Sequence, residues 1–391
     1  MHLSFLSHEF PPIGGGASSA LDALTKKLAQ RGHSIQILAI GMDEKTTHEK
    51  DRFDRVIIRF ACGRRRIMAP SAWELLRSYL VLRYSSVPFV RSFRPDALTA
   101  FFAFPSGHAA IALKRRFTIP LIVSLRGSDV PGFSDARWGI FRFIRTTLLR
   151  PVWKQADLLL ANGNRLLYLA DTFIRTGKVF NLPNGVDTDI YQPPMRRHTD
   201  NHMRILFVGQ LIGRKRCIEM LEGIEWLAGR EVSAEMTIVG DGPLRPEIEA
   251  RASRIQDRIR IHIMRPVERD RMPELYQRHD VLILLSRAEG ISNVLLEALA
   301  SGLCVVTSDT ASQDVLGGKR AGIRLDRITP QNIGDALFTL GQNRDIRQQM
   351  QTEARKLAEG FSWTTTAISF ENHVSRILGT GEPHHNEDIL C

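Results

Sequence analysis

The chain of 391 residues contains only four cysteines, Cys62, Cys217, Cys304 and Cys391, and no two of them share a C-x-x-C spacing. A disulfide framework and a structural zinc site are therefore not expected, and this usage suits a reducing compartment. No uninterrupted apolar run reaches the roughly 18 residues that a spanning helix needs. The opening Met1-His2-Leu3-Ser4-Phe5-Leu6 lacks a basic segment and a long apolar core, so no signal peptide is expected. Internal repeats and low-complexity tracts are also missing, which argues against a fibrous or wholly disordered chain. What is present is a globular balance of 43% apolar and 24% charged residues, enough for two hydrophobic cores.

Charge is unevenly placed. Residues 1–190 carry 27 Lys and Arg against 15 Asp and Glu, a net +12, whereas residues 191–391 carry 26 against 27, a net −1. A one-sided basic half points to an anionic surface partner, or to no more than solvated arginine-rich faces.

Short β-branched runs alternate with longer helical stretches. The first series of expected strands is Leu3–Leu6, Ile35–Ala39, Val56–Ile58, Leu98–Phe102, Leu121–Ser124, Leu158–Ala161 and Val179–Leu182. Such apolar runs suit parallel sheets covered on both faces. Ala17–Arg31 has helical periodicity and Gly32 stands where a terminating glycine belongs. The polar, proline-containing stretch 191–202 reads as a linker. A second series follows: Ile205–Val208, Met236–Val239, Ile259–Ile263, Val281–Leu285 and Val305–Thr307. The expected organisation is α/β: a Rossmann-like doubly wound domain over 1–190, a second over 203–360, an amphipathic helix over 361–378 and a polar tail over 379–391.

Glu289 and Glu297 bracket the loop and helix start that follow Val281–Leu285, with Ser292 or Asn293 as N-cap and Gly302 ending the helix. Amides near Asn293, Val294 and Leu295 would suit a pyrophosphate. Carboxylates beside it would repel phosphate but accept hydrogen bonds from sugar hydroxyls, so the unit fits a nucleotide sugar. In Ile205–Lys215 a strand runs into Gly209 and Gln210, then a loop with Arg214 and Lys215, cations placed to reach the same diphosphate. Gly14, Gly15 and Gly16 precede the first helix and would let backbone approach a ligand. The loop from Leu6 is too long for a tight dinucleotide turn, and Ser19 stands where its third glycine belongs. Val239-Gly240-Asp241-Gly242-Pro243 reads as a glycine turn and Pro183–Asp187 as a corner closing the first domain. Arg126 and Asp129 follow a strand, and His108 stands near another strand exit; all three are acceptor-side candidates.

Taken together, PPIGGG, RGSDVPG, LPNGVDTDIY, ILFVGQL with the Arg214–Lys215 pair, VGDGP, FSW and above all the E-x7-E segment EGISNVLLEALASG resemble the family 4 retaining glycosyltransferases of GT-B fold, over nearly the whole chain. The resemblance implies a nucleoside-diphosphate sugar bound mainly by the second domain. Glu297 would hold the ribose, Glu289 the sugar hydroxyls and Lys215 the diphosphate, with Gly15, Gly16, Gly209, Gln210, Ser292, Asn293 and Val294 completing the donor contacts. Glu289, Lys215 and Arg214 would carry catalysis, Glu289 without acting as a nucleophile. The helix near Trp363 would return to the first domain.

The sequence departs from the family at Gln210, where Arg is common, at Arg126, where His is common, and at Ala311-Ser312, where a Gly-Gly pair is usual. No D-x-D motif stands out, so no essential metal or other cofactor is expected. The implied acceptor is a glycan or lipid-linked saccharide in cell-surface polysaccharide or lipopolysaccharide-type glycolipid synthesis, with a UDP-sugar as donor. The implied location is cytoplasmic or peripheral at the inner membrane face. The basic runs Arg64–Arg66, Arg77, Arg83, Arg91 and Arg94, and Trp138, Phe141, Ile144 and Leu148 at near-helical spacing, could form an anionic-lipid surface. Nucleic acid is not expected as a partner. The competing readings are an NAD-dependent oxidoreductase and a non-catalytic basic-surface protein that binds membrane or nucleic acid.

Overall fold

A computed structural model describes residues 1–67, 70–127, 129–133, 139–196 and 200–380, without the side chains of 139–146. It resolves into two compact units, Met1–Pro183 with Trp363–Cys391, and Asn184–Ser362.

The strands of the first unit are β1 (His2–Ser7), β2 (Ser34–Gly41), β3 (Thr47–Lys50), β4 (Val56–Ala61), β5 (Ala97–Phe101), β6 (Leu121–Leu125), β7 (Leu158–Ala161) and β8 (Val179–Asn181). They lie in the order β3-β4-β2-β1-β5-β6-β7-β8, parallel throughout except for β3. The apolar runs form strands because helices cover both faces, so successive side chains are all buried, as in β5 and β7. The helix Gly16–Gln30 ends at Gly32, whose φ of +89° suits glycine. The helix Trp363–Leu378 packs in this unit: Phe370 meets Phe5, and Glu371 pairs with Arg31 and His33.

In the second unit, β9 (Met203–Val208), β10 (Ala234–Val239), β11 (Arg260–Met264), β12 (Val281–Leu284), β13 (Cys304–Ser308) and β14 (Gly322–Leu325) form an all-parallel sheet in the order β11-β10-β9-β12-β13-β14. The order reverses between β9 and β12, which pair Val281 with Ile205 and Leu282 with Leu206. Ligands of doubly wound sheets bind where strand order reverses, beyond the carboxyl ends of the strands.

The unit boundary falls at Pro183–Asn184, ahead of the stretch expected as a linker over 191–202. Residues 184–191 belong to the second core because Val186 and Tyr191 are buried there, with Tyr191 edge-on to Tyr276 at 5.8 Å. The expected tail beyond residue 380 and Trp138 lie outside the described residues, as do the side chains of Phe141 and Ile144.

Candidate functional site

The loops leaving β9 and β12 converge at the strand reversal of the second unit. Gly213–Lys215 is one short turn, after which Arg216 takes a left-handed conformation and the helix Cys217–Ala228 begins. A backbone bond of 2.9 Å from the Arg287 amide to the Arg214 carbonyl ties the two loops together. Across them Lys215 forms an ion pair with Glu289 Oε1. Arg214 Nη1 stands 3.4 Å from the same oxygen and donates to the Ala288 carbonyl at 2.7 Å. Burial pushes the Glu289 carboxyl up, but the charges of Lys215 and Arg214 outweigh it and hold the group below the ordinary carboxylate range. Two cations thus face one ionised carboxylate, and the cluster keeps a positive charge for an anion.

Gly209 lies against this turn, its amide bonded to the Val239 carbonyl at 3.0 Å. Gly240 is required by proximity, since a Cβ there would stand 1.9 Å from the Gly209 carbonyl oxygen. The glycine turn after β10 therefore fixes the path of the loop that carries Gln210, Arg214 and Lys215. The Gln210 carbonyl accepts from the Ile212 amide at 3.0 Å.

Beyond Glu289, Ser292 is the N-cap residue of the helix Asn293–Ala300, in extended conformation and without a side-chain capping bond. The first regular helical bond runs from the Leu296 amide to the Ser292 carbonyl at 3.1 Å. The Val294 and Leu295 amides belong to the first turn, which has no intrahelical acceptor. Glu297 follows on the same helix. Burial raises its pKa from 4.5 to about 7, against the hydrogen bonds of Tyr276 and Tyr191 and the charge of Arg269. The Tyr276 hydroxyl donates to Glu297 Oε2 at 2.9 Å.

Arg269 and Tyr276 were not singled out by the sequence, and Asn184 and Tyr191 entered only as parts of LPNGVDTDIY, without a role of their own. The Asn184 amide donates to the Ile291 carbonyl at 3.2 Å and to Asn293 Oδ1 at 2.7 Å. The corner assigned to the first domain is therefore a clamp on the helix start of the second. An asparagine in a Pro-Asn-Gly turn was the available signal, but its partner lay 109 residues away. Nothing in the sequence linked Tyr191 or Tyr276 to Glu297. Where a Gly-Gly pair is usual, Asp309–Leu316 is a helix with Ala311 and Ser312 buried, and Thr310 Oγ1 donates to the Ser286 carbonyl at 2.7 Å.

In the first unit the loop after β1 leads to Gly14, whose φ is +94° and whose amide donates to the Ile67 carbonyl at 3.0 Å. Glu9 accepts from the Gly15 amide. Beside it lie Arg64, whose Nη2 is 3.8 Å from Glu9 Oε1, and buried His8, whose Nε2 is 3.7 Å from the same oxygen. Burial, helped by Arg64, lowers the His8 pKa to about 3. Gly16 opens the following helix.

The three acceptor-side candidates have structural partners. Asp129 is buried and accepts from the amides of Ala103 at 3.0 Å and Arg126 at 2.8 Å, so it holds two loops together. The Arg126 guanidinium lies 4.3 Å from the Phe101 ring centre, and burial lowers its pKa to about 10 against the opposing charge of Asp129. His108 starts the helix His108–Phe117, packs edge-on to Tyr79 and Phe104, and bonds the Leu148 carbonyl. Among the described residues, no three His, Cys, Asp or Glu side chains gather as metal ligands would.

Two units, each built on a largely parallel sheet, with a cationic loop and a paired carboxylate at the strand reversal of the second, give the chain the GT-B fold. The chain belongs to the family 4 glycosyltransferases: the family described as Glycosyltransferase Family 4 matches residues 14–190, and that described as Glycosyl transferases group 1 matches residues 202–343. The assignment sets aside the oxidoreductase reading.

A putative teichuronic acid biosynthesis glycosyltransferase of Bacillus subtilis (strain 168) is 25% identical over 256 residues, which cover 63% of this chain and 61% of that protein. The chain thus spans about three fifths of the length of the first curated relatives it matches. Sucrose-phosphate synthase from Thermosynechococcus elongatus superposes with a TM-score of 0.84 at 14% identity, over 97% of this chain and 100% of that one. Anabaena HepE in complex with UDP-glucose gives 0.69 at 14% identity, over 97% and 100%.

Proposed function

We propose that the chain transfers a sugar from a nucleoside-diphosphate sugar, with UDP as the carrier, to a hydroxyl of a glycan or lipid-linked saccharide. The process served would be cell-surface polysaccharide or glycolipid synthesis. The observation that carries this reading is the meeting of Arg214, Lys215 and Glu289 at the strand reversal, directly ahead of the helix Asn293–Ala300. UDP-glucose in the structural neighbour and teichuronic acid biosynthesis in the relative's name support the donor and acceptor classes.

In this mechanism the leaving group is a nucleoside diphosphate, and the chemical task is to stabilise its growing negative charge. Lys215, Arg214 and the first-turn amides of Val294 and Leu295 supply fixed positive potential there without proton transfer. Glu289, held ionised by its two cations, accepts from hydroxyls of the transferred sugar. Glu297 accepts from the ribose hydroxyls. Charge stabilisation by these side chains leaves no step that requires a metal. Overall the acceptor oxygen bonds to the anomeric carbon, the bond from that carbon to the diphosphate breaks, and the hydroxyl proton leaves with the nucleoside diphosphate; the product keeps the donor's anomeric configuration.

A screen of UDP-, GDP- and ADP-sugars with saccharide acceptors in chelator, followed by NMR of the product, tests this. Transfer from a UDP-sugar with retained configuration supports the reading. Transfer only from another nucleotide, inversion, or an absolute metal requirement contradicts the corresponding part.

A further inference from the structure

The helix Ala72–Ser85 turns its apolar side outward. Trp73, Leu76, Leu80 and Tyr84 are all exposed, Trp73 at 68% and Tyr84 at 64%, whereas the helix buries Ser78 and Leu82. At 3.6 residues per turn these four residues share one face. An amphipathic helix on a soluble unit ordinarily buries such a stripe.

Cations frame the stripe. Arg65 and Arg66 are exposed, and their amides donate to Glu74 Oε1 at 3.0 and 3.3 Å, which fixes both at the first helical turn beside Trp73. Exposed Ile67 continues that end. Arg77 is exposed and shares the stripe's side of the helix, and Arg83 lies with its guanidinium 5.5 Å from the Tyr84 ring centre. Arg91 and Arg94 are exposed on the next helix and at its end. Glu74 is the only acid of the helix, and it is engaged in a capping box with Ser71.

We propose that this face docks on an anionic lipid bilayer, with Trp73, Leu76, Leu80 and Tyr84 entering the headgroup boundary and the arginines meeting lipid phosphates. Charge complementarity selects this occupant, because the half of the chain that carries the stripe holds a net +12. Tyrosine and tryptophan, each with an apolar ring and a polar edge, suit a boundary that is apolar on one side and wet on the other. Among the described residues no helix is long and apolar enough to cross a membrane, so the attachment would be by one surface.

The test is flotation of the full chain with phosphatidylglycerol–phosphatidylcholine vesicles and with pure phosphatidylcholine vesicles, at low and high salt. Binding should require phosphatidylglycerol and weaken with salt. Trp73→Gln with Leu80→Gln should reduce binding several-fold at every salt concentration, whereas Arg65→Gln with Arg66→Gln should reduce it mainly at low salt. Arg258→Gln with Arg260→Gln, an exposed pair on the second unit, should leave it unchanged. These substitutions alter exposed side chains, and an unchanged circular dichroism spectrum confirms folding.

Absence of vesicle binding by the unaltered chain overturns the proposal, as does equal binding to neutral vesicles. A solution dimer that Trp73→Gln dissociates would assign the face to a second copy and also overturn it. Donor binding by the second unit is read separately by calorimetry, so failure of either claim leaves the other standing.

Discussion

Lys215 and Glu289, 74 residues apart in sequence, form an ion pair between the loops that leave β9 and β12. Both side chains are largely buried, at 12% and 14% exposure. Each had been expected to meet a different part of one ligand, yet here they satisfy one another. On the proposed function, the donor would share or redirect this pair, with Arg214 keeping Glu289 compensated when Lys215 turns to phosphate.

Removing one partner of such a pair leaves a largely buried charge behind. Lys215→Met leaves Glu289 with Arg214 as its cation and should destabilise the chain by about 1.5–3 kcal/mol, the worth of a hydrogen bond to a charged group. Lys215→Met combined with Glu289→Gln should recover most of that loss while leaving turnover abolished. Urea melts of the single and double variants check this, and additive losses would show that the pair is not coupled.

Glu297 predicts a pH dependence of definite sign. Its pKa rises from 4.5 to about 7 on folding, so between these values the folded state holds a proton that the unfolded state has lost. Stability from this group falls as pH rises through that window, by no more than about 3 kcal/mol. Glu297→Gln keeps an oxygen for the Tyr276 hydroxyl and does not ionise. Its melting temperature relative to the parent should rise between pH 5 and pH 8, and a constant difference would contradict the assignment.

Asn184 should act on the site through the loop it holds. Asn184→Ala removes one donor from the Ile291 carbonyl and one from Asn293 Oδ1, at a cost of about 1–2 kcal/mol. The donor KM should rise more than kcat falls, because ligand contacts are displaced rather than removed. A stability loss with unchanged KM would confine Asn184 to a structural role.

Gly240→Ala places a methyl carbon against the Gly209 carbonyl oxygen, where the available gap is 1.9 Å. The loops after β9 and β10 must separate, which should cost about 3 kcal/mol or more and move Lys215 away from Glu289. Thermal melts and nucleotide titration of this variant follow both effects.

The central strands were legible because they are apolar and buried on both faces, as β5, β7, β12 and β13 are. β3 was not, since Thr47-His48-Glu49-Lys50 exposes all four side chains on an antiparallel edge and shows no apolar pattern. β14 was missed for a related reason: of Gly322–Leu325 only Leu325 is fully buried. In the site, the motif residues of the second unit were visible as residue types at strand ends. Their mutual pairing was not, because the 3-D neighbourhood of β9 and β12 is a product of strand order. In the first unit, Asp129 accepts from the amides of Ala103 and Arg126, and His108 packs edge-on to Tyr79 and Phe104, partners set by the fold that the sequence pattern did not display.

The most direct measurement is calorimetric titration of UDP into the parent chain, Lys215→Ala and Glu297→Ala at one pH and salt concentration. The expected result is saturable binding by the parent and a loss of about tenfold or more in affinity, equal to about 1.4 kcal/mol, in each variant. UDP binding of undiminished affinity in both folded variants would contradict a diphosphate and ribose site at the strand reversal of the second unit.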